Sequence, residues 1–488
     1  MASSPRPSPS HARARRAARV RDGARVSLAM SAPPNADDRV VRALTRRYVV
    51  VYALGTFGDW IQGAYLYAAY RRHGLAKREI GGVYVLGYVV SATIGTSIAS
   101  VGDAVGHRGL VVAYGTLYAA SCVLLRSSSW SAILMSRVLG GVAYSLLFSS
   151  FESWVITEAD EAKIERRRLA GLFSVATFFN AASAVAAGLV GNFVVELTES
   201  PHFSWVGMDE SRSKMNVESD LGGSELISSR NVYAPAFDVG AVSLLLCALG
   251  AKYLWPNRVP TVTPEADESG DVPEASPKSK GTRGTMAKVV RAVRMILVSN
   301  ELFRLGAANS LYEAALHLFV FVWTPVLEKR SGEGVTVPYG MIFSAFMVCK
   351  MFGSQAFHIL ESRVQAERLL RLVLVGSAIS FVVTVAISSY WLTLAAFSAF
   401  EFGLGIYWPV MSVLRAKYVP NKMRATMTSA FRIPLNVLVV ILLIIAGRAS
   451  DKALLALCAM MMVASYVLFG WDRLVTPTLA PEKATSVV

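Results

Sequence analysis

The chain has 488 residues, 53% of them hydrophobic, with a mean hydropathy of +0.44 and a formal net charge of +15. So apolar a composition excludes an ordinary soluble protein. The surplus Lys and Arg sit in short runs between apolar stretches and in the N-terminal tail, a pattern that fits loops beside anionic lipid and argues against a nucleic-acid partner.

Residues 1–40 are rich in Arg, Ser, Ala and Pro, with little acid and no apolar core of signal-peptide length. Two readings stand: an organellar transit peptide, or a disordered basic tail. Twelve apolar spans follow, at about 48–70, 80–101, 109–125, 131–156, 169–195, 232–254, 303–327, 338–360, 369–388, 390–414, 426–447 and 453–471. An even count puts both termini on one side. Arg46 and Arg47, Arg166 to Arg168, Arg291 and Arg294, Arg368 and Arg371, and Lys422 and Arg424 all fall there, which predicts the cytoplasm. Arg71, Arg72, Lys77 and Arg78 run against this rule, between the first two spans on the expected outer side.

The stretch 256–295 is rich in Pro, Ser, Gly and charge and reads as a linker between two six-helix bundles, 41–255 and 296–475, with a tail over 476–488. An all-α membrane protein of six plus six helices is the layout of the major facilitator superfamily. The turn after the second span, Gly102 to Arg108, resembles that superfamily's loop signature, with Asp103, Gly106 and Arg108 matching. An acid at a helix end and a nearby Arg can brace helices that slide past each other.

Charges inside the spans carry the functional signal, because an ionised side chain at mid-bilayer costs roughly 2.5–3.5 kcal/mol and normally faces protein or water. In the fourth span Arg137, Gly141, Ser145, Phe148 and Glu152 share a helical face; in the tenth, Glu401, Gly405, Trp408, Ser412 and Arg415 do the same. The first, fourth, seventh and tenth spans each hold an acid: Asp59, Glu152, Glu313 and Glu401. The cations are Arg137, Lys350, Arg415 and Arg432, and Asn180, Asn309, His317 and Asn436 add polar groups. The structural alternative for each is a buried pair that keeps two helices in register. Recurrence in both halves favours a polar path, as in a transporter built of repeats. The four cysteines lie far apart inside apolar spans, so no metal or disulfide framework is expected. Nor does any nucleophile with its base or phosphate-cradling loop point to an enzyme or a cofactor.

Several strings go further. Asp59-Trp60-x-Gln62-x-x-Tyr65-x-Tyr67, Phe148-Ser149-x-Phe151-Glu152-x-Trp154, Phe319-Val320-Phe321-x-Trp323-Thr324-Pro325-Val326-Leu327, and Ser412-x-Leu414-Arg415-x-Lys417 followed by Phe431-Arg432-x-Pro434-Leu435 resemble the eukaryotic molybdate-anion transporter family over all twelve spans. The resemblance implies uptake of molybdate by alternating access. A tetrahedral dianion wants Arg forks and neutral donors. Arg137 and Arg432 are therefore expected as direct contacts, with Lys350 as a further positive charge and Ser145, Asn180 and Asn436 as donors. Glu152 and Arg415 are expected to pair as an inner gate, Glu401, Asp103 and Arg108 to take part in gating, and Asp59 and Glu313 to serve proton coupling. The expected setting is the plasma membrane, with a plastid or other organelle membrane as the alternative. A permease for sulfate, a sugar or an organic acid is the first rival, since one scaffold serves many solutes; a non-transporting membrane receptor is the second.

Overall fold

The structure, a computed structural model, describes residues 36–164, 166–199, 232–256, 291, 293–332, 335–419 and 424–475. Twelve long helices account for nearly all of them: α1 (Ala36–Arg72), α2 (Lys77–Val105), α3 (His107–Leu124), α4 (Trp130–Glu161), α5 (Arg166–Glu199), α6 (Ala234–Leu254), α7 (Asn300–Arg330), α8 (Tyr339–Leu360), α9 (Ala366–Ala386), α10 (Tyr390–Tyr418), α11 (Arg424–Ala446) and α12 (Asp451–Val475). Each coincides with one of the expected spans to within two residues or extends beyond it. A backbone in hydrocarbon must satisfy its own hydrogen bonds, so apolar runs of this length fold as helices.

Among the described residues eight helices, α4 to α10 and α12, are long and apolar enough to cross a membrane by length and composition alone, and Ala430–Ala446 of α11 is a shorter apolar stretch. The first helix, α1, is more polar, holding Asp59, Gln62 and six tyrosines or tryptophans between Tyr48 and Tyr70. The turn joining α2 to α3 is made by Gly106 at φ 85, a left-handed conformation that favours glycine and explains its place in the loop signature.

Packing repeats with a shift of six. In the first half α1 packs on α5 and α6, α4 on α2 and α3, and α3 on α6; in the second α7 packs on α11 and α12, α10 on α8 and α9, and α9 on α12. The halves meet chiefly through α5 against α8 and α2 against α11. Small residues make these seams close. A side chain on Gly188 would collide with Ser344 and the Gly340 carbonyl, and one on Gly81 would come within 3.0 Å of the Leu443 carbonyl. Prolines lie inside α7 (Pro325), α10 (Pro409) and α11 (Pro434), whereas among the described residues the first half's helical proline is Pro235, in the opening turn of α6.

The ends of the bundle differ. At the end remote from the basic clusters, Lys77 donates to Asp451 (2.7 Å) and to the Ala449 carbonyl (2.8 Å), joining the halves, and Lys329 reaches the other oxygen of Asp451. Below this tie Phe321 takes Tyr67 and Tyr84 edge-on at 5.3 and 5.6 Å, and Tyr233 meets Tyr339 at 6.0 Å. Ser344 donates to the Val185 carbonyl (2.8 Å). The seam is thus stoppered at that end. At the basic end Glu152 is exposed, Arg415 turns its Nε back to the Met411 carbonyl (3.2 Å), and no ion pair joins the two.

Candidate functional site: a charged seam between two halves

Arg137 lies on α4 at the seam, its guanidinium 5.1 Å from the centre of the Tyr84 ring, with Tyr70, Tyr88 and Tyr118 around it. Its charge is met by ring faces and hydroxyls rather than by a carboxylate among the described residues, and its buried Nε has no hydrogen-bond partner there. Room for it comes from Gly87 of α2: a methyl at that position would stand 2.5 Å from the Arg137 Nη2. Gly141, one turn along α4, approaches the Gly87 carbonyl in turn, so that α2 and α4 touch backbone to backbone beside the cation.

The second half arranges its charge otherwise. Lys350 of α8 and the buried Glu401 of α10 attract each other, and α8 and α10 are in backbone contact there, since a side chain on Gly405 would overlap the Lys350 carbonyl. The Lys350 ammonium sits 5.6 Å over the Trp60 ring of the first half; Trp60 donates through Nε1 to the Asn180 Oδ1 (2.8 Å) and packs on Phe343 at 5.8 Å. A continuous polar line therefore runs from α10 through α8 and α1 to α5. One oxygen of Glu401 has no hydrogen-bond partner among the described residues.

Tyr144 connects the remaining charges. It is 36% exposed, and its hydroxyl lies within electrostatic reach of Asp59, Arg137, Glu313 and Arg432. Asp59 accepts from Tyr118 (2.8 Å). Glu313 feels Arg415 and Arg432, and beside it Asn309 accepts from Tyr407 (3.2 Å) while His317, bonded to the Glu313 carbonyl, meets Tyr88 across the seam at 5.3 Å. Arg432 and Asn436 are exposed on α11.

Placement of the expected residues is therefore uneven. Arg137, Asp59, Glu313 and Arg432 gather around Tyr144, and Lys350 and Asn180 meet Trp60, with Glu401 acting on Lys350. Ser145 stands apart, because its hydroxyl is spent on the Ser91 carbonyl (2.8 Å) and hydroxyl (2.9 Å), pinning α4 to α2. Glu152 and Arg415 are not joined in this state. Arg108 reaches the carbonyls of Lys252 (3.4 Å) and Trp255 (3.3 Å), so its charge caps the C-terminus of α6. The side chain of Asp103 lies outside the described residues. Tyr144 and Gly87 went unselected from sequence, although Tyr144, seven residues after Arg137, lies on the same helical stripe. No His, Cys, Asp and Glu cluster suited to a metal occurs among the described residues.

Two repeated six-helix halves with ionised groups along their seam define a membrane carrier of the major facilitator type, and solved carriers share the fold. A nucleoside transporter, NupG, superposes with a TM-score of 0.63 at 12% identity, covering 87% of this chain and 98% of its own. A peptide transporter of the POT family, solved in complex with sulfate, gives 0.62 at 15% identity over 89% and 94%. Residues 23–206 and 273–407 match the model of a family described as sugar transporters with twelve transmembrane segments, and the chain belongs to that family. Among individual relatives, the molybdate-anion transporter of Takifugu rubripes is 25% identical over 471 residues, 89% of this chain and 88% of the relative. That of Xenopus tropicalis is 26% identical over 424 residues, 83% and 80%. The chain is an integral membrane protein of the transporter class.

Proposed function

We propose that this transporter carries molybdate, exposing one central site to each side in turn. The observation that carries the reading is Arg137, a buried cation ringed by tyrosines and left unpaired by any described carboxylate, with Arg432 beyond Tyr144 on the other half. Holding such a charge in a bilayer is costly unless something anionic visits it. Two guanidiniums approaching from opposite halves suit a small tetrahedral dianion, which each can grip with paired N–H donors. The Asn180 amide and Asn436 add neutral donors, and Lys350, already faced by Glu401, adds a weaker pull. The name borne by the relatives in fish and frog points to the same solute.

In this reading the basic end faces the cytoplasm at the plasma membrane, and the state described is closed to the outside by Lys77, Asp451 and the Phe321 ring cluster. Asp59 and Glu313, both within electrostatic reach of Tyr144, are the groups we assign to proton exchange during the anion's passage. The chain then performs transport with no chemical step. One observation favours a second reading: the matched family is described by sugars, and the tryptophan and tyrosine faces around Lys350 would suit a sugar ring. Uptake of labelled molybdate into a cell lacking its own carrier decides between them. Molybdate should accumulate above the empty-vector rate and be displaced by excess unlabelled molybdate but not by hexoses or carboxylates. A rate equal to the vector control, or displacement by hexose, overturns the proposal.

A further inference from the structure

A groove of about 670 Å³ lies between the opening turns of α1 and α5, lined by Arg42, Arg46 and Arg168 at its mouth and by Val49, Val50, Val175 and Phe179 deeper in. We infer that it holds one anionic phospholipid of the leaflet at the basic end. On α5 the groove residues Gly171, Val175 and Phe179 lie on the side away from Gly188, which abuts α8, so the groove opens away from the second half. Val50 (46%), Val175 (40%) and Phe179 (41%) are exposed there without protein cover.

The distribution of charge selects the occupant. From Arg42 to Ala53 the helix advances about 17 Å, so the three arginines stand at the level of a phosphate and the apolar walls along an acyl chain. No carboxylate lines the groove; Asp38 pairs with Arg168 from outside it (2.8 Å), while Arg42 and Arg46 are exposed. A basic pocket between membrane helices above an apolar slot is the chemistry that retains anionic headgroups. The chain's own N-terminal segment is a poor occupant by charge, since residues 1–35 are rich in arginine with Asp22 as their one acid.

The test uses the full-length protein purified from mixed micelles of phosphatidylglycerol and phosphatidylcholine in equal amounts, with retained lipid weighed by native mass spectrometry. Phosphatidylglycerol should be retained over phosphatidylcholine by about thirtyfold, from the two exposed arginines Arg42 and Arg46. The pair Arg42→Gln and Arg46→Gln should abolish that preference, and the pair Arg291→Gln and Arg294→Gln, at the same end, should leave it. Gly171→Trp, which fills the slot where a side chain meets nothing within 4 Å, should release the lipid with all arginines intact. Equal retention of the two lipids overturns the inference. So does equal loss in the two arginine pairs, displacement by glycerol phosphate alone, or binding that appears only after residues 1–35 are removed. The readout is lipid mass, so it stands or falls independently of what the carrier transports.

Discussion

The first half keeps Arg137 among aromatic rings, whereas the second keeps Lys350 within the pull of a buried carboxylate, and both do so beside a glycine that brings two backbones into contact. The packing device is repeated and the electrostatics are not. At Gly87 and Gly141, α2 and α4 close on a cation that no described carboxylate meets; at Gly405 and Gly353, α8 and α10 close on a cation that Glu401 attracts. On the proposed function a repeated fold thus supports a division of labour, with one half offering charge to the anion and the other using charge to hold itself and to meet Trp60.

The sharpest way to break this comparison is to remove each cation. Lys350→Met leaves Glu401 buried and alone, and should destabilise the detergent-solubilised protein by about 3 kcal/mol, with most of the loss recovered in the double variant Lys350→Met, Glu401→Gln. Arg137→Gln should leave thermal unfolding nearly unchanged but lower the initial rate of molybdate uptake into proteoliposomes by about a hundredfold, the worth of charge-assisted bonds at roughly 1.5–3 kcal/mol each. If Arg137→Gln destabilised as much as Lys350→Met, the two halves would be doing the same thing.

The glycines sharpen it further. Gly87→Ala pushes on the movable end of an arginine, so it should weaken uptake about tenfold, mainly through KM, while the fold survives. Gly405→Ala pushes on a backbone carbonyl and should cost about 1–3 kcal/mol of stability instead. The smallest effect on uptake is expected at the closed end: Asp451→Asn loosens the pairs with Lys77 and Lys329, and should raise the reactivity of a cysteine placed at Phe321 toward an impermeant thiol reagent, with uptake changed less than threefold.

Much of this was readable from sequence because the bilayer imposes simple rules. Twelve apolar runs gave twelve helices, and ionised residues such as Arg137, Glu313 and Glu401 stood out within them. Partners were not readable. Ser145 looked like a cavity donor until the α2 backbone at Ser91 took its hydroxyl, and Arg108 found helix carbonyls. Lys77, which broke the expected charge asymmetry of the loops, has its explanation in Asp451, 374 residues away in the chain. Tyr144 was passed over because a tyrosine on an apolar helix is ordinarily packing; only the convergence of α1, α4, α7 and α11 gives it four charged neighbours.

The prolines of α7, α10 and α11 each lack an amide hydrogen, which leaves the carbonyl four residues earlier, at Phe321, Gly405 and Ala430, without its usual helical bond. These are compliant joints, and all three sit on one side of the seam. The first half, with uninterrupted helices facing them, is the stiff anvil against which the second flexes. A cycle of opening and closing should accordingly show its largest internal distance changes within residues 300–446 and very small ones within 36–199.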